Sequence, residues 1–106
     1  MSPDRLLPPP NPGRVLRQQI ERDHGIAQDK LADALGVSRF TVNQVLNGRR
    51  AISPEMALRL ERVIGTTPDM WLRLQAAFDL FEARDKLGAK LDELKPLIEL
   101  ADAPPA

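Results

Sequence analysis

At 106 residues with no cysteine, the chain has room for one small domain and offers neither a disulfide scaffold nor a thiolate zinc site, which favours the cytosol. Fifteen cations balance fifteen anions, so no overall charge draws the chain to nucleic acid or to a membrane surface. No apolar run approaches membrane-spanning length and the prolines of MSPDRLLPPP interrupt any signal-peptide core, so a soluble cytoplasmic protein without a membrane partner is expected.

Residues 1–12 form a proline-rich arm in which Pro8, Pro9, Pro10 and Pro12 favour an extended backbone. Disorder is the expected state. The alternatives are a DNA contact through Arg5 or packing of Leu6 and Leu7 on the domain. Asn11 as cap and Pro12 in the first turn start a helix to about Asp23, with Leu16 and Ile20 inward. His24-Gly25 ends it, and His24 is most simply a helix-end residue.

The run Gln28 to Arg50, QDKLADALGVSRFTVNQVLNGRR, reads as two short helices joined by a tight turn. Leu31, Ala32 and Leu35 give the first an apolar face, and Val42, Val45 and Leu46 do the same for the second. Each is too short to stand alone, and packing both faces on a common core produces a helix-turn-helix. Gly36 supplies the sharp backbone position between them and Ser38 the cap of the second helix. Arg39, Phe40, Thr41, Asn43 and Gln44 then crowd its start and outer side. Arginine bonds guanine O6 and N7, asparagine and glutamine bond adenine N6 and N7, and phenylalanine lies against a thymine methyl. Asn47-Gly48 closes the helix, and Arg49 and Arg50 follow where two cations suit a phosphate backbone. Gln28, beside free backbone N–H groups, either holds a phosphate oxygen or is an exposed polar first-turn residue.

Ser53 and Pro54 start a fourth helix with Met56, Ala57, Leu60, Val63 and Ile64 inward and Glu55 and Arg59 as an exposed pair, and Gly65 stops it. Thr67-Pro68 repeats that start for the longest helix, PDMWLRLQAAFDLFEARDKL. Trp71, Leu74, Phe78 and Phe81 gather on one side, and Leu72, Ala76, Leu80, Ala83 and Leu87 on nearly the opposite one. The preceding helices can cover one stripe, so the second is expected to form a dimer interface. The alternative is that the C-terminal segment folds back over it. After Gly88, Leu91, Leu94, Leu97 and Ile98 form a short amphipathic segment interrupted by Pro96, which extends that interface or grips another protein, before a disordered ADAPPA. The organisation expected is an arm at 1–12, a DNA-binding domain at 13–87 and a helical extension and tail at 88–106.

The neutral total hides a separation: through Thr66 there are ten cations against seven anions, and from Thr67 onward five against eight. A mildly basic head followed by a mildly acidic tail suits a DNA reader joined to a protein-binding segment. Catalysis is rejected. There is one histidine, and Ser38 and Ser53 already serve as caps. No nucleophile with a base, phosphate-cradling glycine loop or metal cluster stands out, so no cofactor is expected.

Residues of roughly 13 to 81 resemble the HigA-type antitoxins, a branch of the XRE (lambda-repressor-like) helix-turn-helix proteins. PGRVLRQQI, the helix-turn-helix run and above all TPDMWLRLQAAFDL carry the resemblance. The helix-turn-helix alone indicates only a broad superfamily, whereas Pro-Asp-x-Trp-Leu-x-Leu-Gln is far more specific. The resemblance implies an all-α, five-helix domain dimerised through its C-terminal region. It also implies a palindromic double-stranded operator in the chain's own promoter and a RelE-like, HigB-type ribonuclease toxin as partner. By position it implies that Gln28 anchors phosphate, that Arg39, Phe40, Asn43 and Gln44 face base edges, and that Thr41 meets the backbone or a base. Phe40 departs from the small or polar residue usual there, and reads thymine methyls or is a partly buried packing residue. Trp71 and Leu74 are expected in the core. A stand-alone repressor without a toxin and an interaction module that has lost DNA binding remain the alternatives.

Overall fold

The computed structural model describes residues 7–98, so the expectations for Arg5, Leu6 and the final ADAPPA lie outside the described residues. Five α-helices follow one another: α1 (Pro12–Arg17), α2 (Gln28–Leu35), α3 (Arg39–Leu46), α4 (Pro54–Ile64) and α5 (Pro68–Leu87). No strand occurs among the described residues, and no helix of them is long and apolar enough to cross a membrane.

Local sequence sets most of the boundaries. The Asn11 side chain accepts from the Gly13 N–H at 2.9 Å, with Pro12 in the first turn, where a missing N–H costs nothing. Ser53 Oγ accepts from the Met56 N–H at 3.1 Å in the same manner. Gly36 ends α2 at φ +72° and Gly65 ends α4 at φ +78°, left-handed positions that glycine adopts without steric cost.

Three details differ from the sequence reading. The first helix does not stay α-helical to Asp23: Gln18–Asp23 form a π turn, with Ile20 fully buried. Thr67 makes no side-chain cap to α5; its neighbour Thr66 instead accepts from the Trp71 indole N–H at 2.7 Å, satisfying the one polar atom of a ring that is otherwise entirely buried. Arg59 does not pair with Glu55. Its Nη1 donates to the Leu35 carbonyl at 2.7 Å, so a side chain of α4 caps the open carbonyl end of α2.

The core is apolar throughout. Leu16 and Ile20 meet Leu31 and Leu35 of α2, Val42, Val45 and Leu46 of α3, Met56, Ala57 and Leu60 of α4, and Trp71 of α5. No polar or charged residue is buried among the described residues. Leu72 and Leu74 pack against this core as half-buried neighbours. The crossing of α1 and α3 is tight: a Cβ built on Gly13 would stand 1.8 Å from the Val45 carbonyl oxygen.

The second half of α5 runs on past the core, which contributes to the elongated dimensions of 53 × 23 × 21 Å. From Gly88 the described part of the extension holds a single 3-10 turn, Gly88–Leu91, rather than a further amphipathic helix. Leu94, Leu97 and Ile98 are 71%, 100% and 75% exposed, so the described part of the extension does not fold back over α5.

Gly13→Ala is expected to destabilise the fold by about 3 kcal/mol, because the added methyl meets backbone that cannot rotate away. Gly25→Ala, at φ +61° with open space around it, should cost only about 1 kcal/mol. Thermal unfolding of the two variants checks the order, at roughly 4–8 °C per kcal/mol.

Candidate nucleic-acid interface

The turn between α2 and α3 is built by two side chains. Ser38 Oγ accepts from the Thr41 N–H at 3.0 Å and donates to Thr41 Oγ1 at 2.9 Å, so one hydroxyl caps α3 and fixes the Thr41 rotamer. Val42, Val45 and Leu46 are buried, which at 100° per residue turns Phe40, Asn43, Gln44 and Asn47 to the opposite side. Arg39 and Thr41 flank that side. The predicted reading residues therefore share one surface.

Phe40 is 65% exposed, which does not fit the packing alternative and leaves a large ring displayed among polar groups. Arg39 Nε lies 3.0 Å from Asp29 Oδ1 in an exposed pair between the starts of α3 and α2. Such a pair is worth about 0–1 kcal/mol, little hindrance to a guanidinium moving to a base.

Gly48, at φ +72°, turns the chain out of α3, and the Arg49 and Arg50 N–H groups both donate to the Gln44 carbonyl, at 2.9 and 3.2 Å. Both arginine side chains are exposed beside the α3 terminus. The loop is anchored at both ends. Asn11 Nδ2 donates to the Gly48 carbonyl at 3.3 Å, and Gln75 Oε1 of α5 accepts from the Ile52 N–H at 2.9 Å. The Trp-Leu-x-Leu-Gln run thus contributes both a core residue and a support for the arginine loop.

Gln28 is not a free first-turn residue. It belongs to a closed ring of hydrogen bonds across α1, the π turn, α2 and α3. Arg17 Nη1 donates to Asn47 Oδ1 at 2.9 Å, Asn47 Nδ2 to Asn43 Oδ1 at 3.1 Å, and Asn43 Nδ2 to Gln28 Oε1 at 3.3 Å. Gln28 Nε2 then donates to Glu21 Oε2 at 3.2 Å, and Arg17 Nε to Glu21 Oε1 at 3.0 Å. The bonds from Arg17 and Gln28 hold the Glu21 carboxyl below its ordinary pKa of 4.5. The sequence alone does not assign Arg17, Glu21 and Asn47 to the site, and Asn47 reads there only as closing α3; the local signals are the i,i+4 spacings of Arg17 with Glu21 and of Asn43 with Asn47.

Of the predicted interface stripe on α5, Ala76, Leu80, Ala83 and Leu87 are exposed, with Leu80 at 53%, while Leu72 is half-buried against the core. The other stripe is better covered: Trp71 is buried, and Phe78 and Phe81 are half-buried beside Pro8 and Pro9 of the arm. Leu7 projects into solvent.

A helix-turn-helix family model matches residues 16–71. Antitoxin HigA-1 of Vibrio cholerae is 35% identical over 89 residues, covering 84% of both chains. Among solved structures, the Pseudomonas aeruginosa antitoxin HigA with the higBA promoter is 36% identical at a TM-score of 0.78, over 85% of this chain and 99% of that one. Antitoxin GraA in complex with its operator is 39% identical at a TM-score of 0.79, over 88% of this chain and 95% of that one.

Because the Glu21 pKa is depressed in the fold, its contribution to stability is present above the ordinary glutamate value and is lost as pH falls through the lower folded pKa. A carboxyl-detected NMR titration should find Glu21 below 4.5, returning toward that value in Arg17→Ala.

Proposed function

The chain belongs to the HigA-type antitoxins of the helix-turn-helix family, non-enzymatic regulators, and from that premise we propose how it divides its tasks. The antitoxin and repressor role follows from the family; the specific contacts are our reading. As a dimer it places two copies of α3 in successive major grooves of a palindromic operator, about 34 to 36 Å apart, and so excludes polymerase from its own promoter. A RelE-like, HigB-type toxin is the protein partner, neutralised on the same dimer, and toxin occupancy alters DNA affinity by linkage.

The observation that carries this reading is the single outward surface of α3. Arg39, Phe40, Asn43 and Gln44 stand together there, with Arg49 and Arg50 in an anchored loop beyond its C-terminal end and Gln28 of α2 alongside, bonded to Asn43. Base-reading groups at the centre and phosphate-binding groups at the margins match the division of labour in groove recognition. Ser38 and Thr41 lie at the α3 start, where the positive end of the helix dipole and the hydroxyls favour a phosphate oxygen, although the Thr41 N–H itself is taken by Ser38 Oγ. The dimer reading rests on the exposed stripe Ala76, Leu80, Ala83 and Leu87, which the described part of the extension leaves open; Leu72 contributes at most its outer edge.

Arg39→Ala or Gln44→Ala is expected to relax base preference by about 1 to 3 kcal/mol, whereas Arg49→Ala or Arg50→Ala weakens all sequences similarly and lowers the salt slope by about one. Salt-titrated binding to duplexes from the native promoter separates the two effects, and unchanged preference in Arg39→Ala would overturn its role as a base reader. Leu80→Glu should yield a folded monomer by sedimentation, since an unpaired charge on the stripe opposes its burial.

A further inference from the structure

The ring around Gln28 has a direction. Arginine can only donate hydrogen bonds and an ionised carboxylate can only accept them, whereas an asparagine or glutamine amide has two donors at one end and an acceptor oxygen at the other. Between Arg17 and Glu21 stand three such amides, Asn47, Asn43 and Gln28. With a donor fixed at one end and an acceptor at the other, only one orientation of each amide satisfies the whole series. Turning any one of them over sets donor against donor.

We propose that Arg17 and Glu21 are positioning residues for base recognition: the charge pair in the first helical segment fixes which way the Asn43 amide faces, and hence which base edge it accepts. The inference rests on the reading of α3 as the base-contacting helix. Asn43 spends one N–H on Gln28 and one lone pair of Oδ1 on Asn47. One N–H and one lone pair remain, the complement of adenine N7 and N6–H₂. Asn43 can therefore contact adenine without leaving the ring. Gln28 similarly keeps one N–H, which suits a phosphate oxygen, after its other donor goes to Glu21.

Glu21→Gln isolates the point, being nearly isosteric and lying on a half-exposed surface where it leaves the core intact. Glu21 now accepts from Arg17 through one oxygen and from Gln28 through the other. In the variant one of those oxygens becomes an NH₂. The Arg17 cation retains the remaining oxygen, the NH₂ faces Gln28, and the orientation of the series is no longer imposed.

The test uses the full-length protein and duplexes from its own promoter carrying single base-pair substitutions, with binding followed by fluorescence anisotropy for the parent, Asn43→Ala, Glu21→Gln and the double variant. Discrimination at each position is the ratio of Kd for substituted and native duplex, which cancels the uniform effect of removing a negative charge. Asn43→Ala is expected to reduce discrimination at its own base pair roughly 5- to 150-fold. Glu21→Gln should reduce it at that same base pair roughly two- to tenfold, and the double variant should lose no more than Asn43→Ala alone. If Asn43→Ala lowers discrimination while Glu21→Gln leaves every ratio at the parent value, the positioning role is overturned and the reading helix stands. If neither variant changes any ratio, the assignment of Asn43 to a base fails, and the positioning role with it.

Discussion

The approach of α1 to α3 at Gly13 and Val45 is the constraint on which the proposed reading surface depends. With no room for a Cβ between them, the two helices meet backbone to side-chain-free backbone, and neither can slide without collision. Three further contacts exploit that fixed distance. Asn11, just before α1, reaches the Gly48 carbonyl beyond α3; Arg17, at the other end of α1, reaches Asn47; and Glu21 in the π turn reaches Gln28 of α2. A short helix of the kind that is marginal alone is thereby held at several points along its length.

The longest helix has a double office. Its first turns belong to the core through Trp71 and support the loop of Arg49 and Arg50 through Gln75, while its later turns carry the exposed stripe of Leu80, Ala83 and Leu87. Gln75 adjoins Ala76, the first exposed member of that stripe. The loop that faces phosphate in our reading and the surface that faces a second chain are thus rooted in the same turn of the same helix.

The order of helices was legible in the sequence because it is written in local chemistry. Asn11-Pro12, Ser38 and Ser53-Pro54 each place a capping oxygen before a helix, and Gly36, Gly48 and Gly65 each take the positive φ that ends one. The apolar positions around them recur at helical spacing, so the core could be assigned almost residue by residue. What local spacing cannot show is which distant group a polar side chain selects. Glu55 and Arg59 have the spacing of a pair, yet a buried carbonyl end at Leu35 gains more from a cation than an exposed carboxylate does. Thr67 precedes Pro68 as a cap would, but it is the hydroxyl of Thr66 that lies against the Trp71 indole. The ring draws on four helical segments, so none of its long-range bonds has a sequence signature. The π turn is equally silent, since its widened hydrogen bonding has no fixed residue pattern.

The ring also divides the reading surface into parts with different freedom to change. Arg39, Phe40 and the Gln44 side chain lie outside it, and Arg39 is held only by an exposed pair with Asp29. Substitution there alters a single contact. Asn43 and Gln28 share their hydrogen bonds with Asn47 and Glu21, so an exchange at either disturbs neighbours outside the proposed base-reading set. On the proposed reading of α3, a change of operator preference is simplest through positions 39, 40 and 44, while a change at position 43 calls for compensating changes in the hydrogen-bonded partners of its ring.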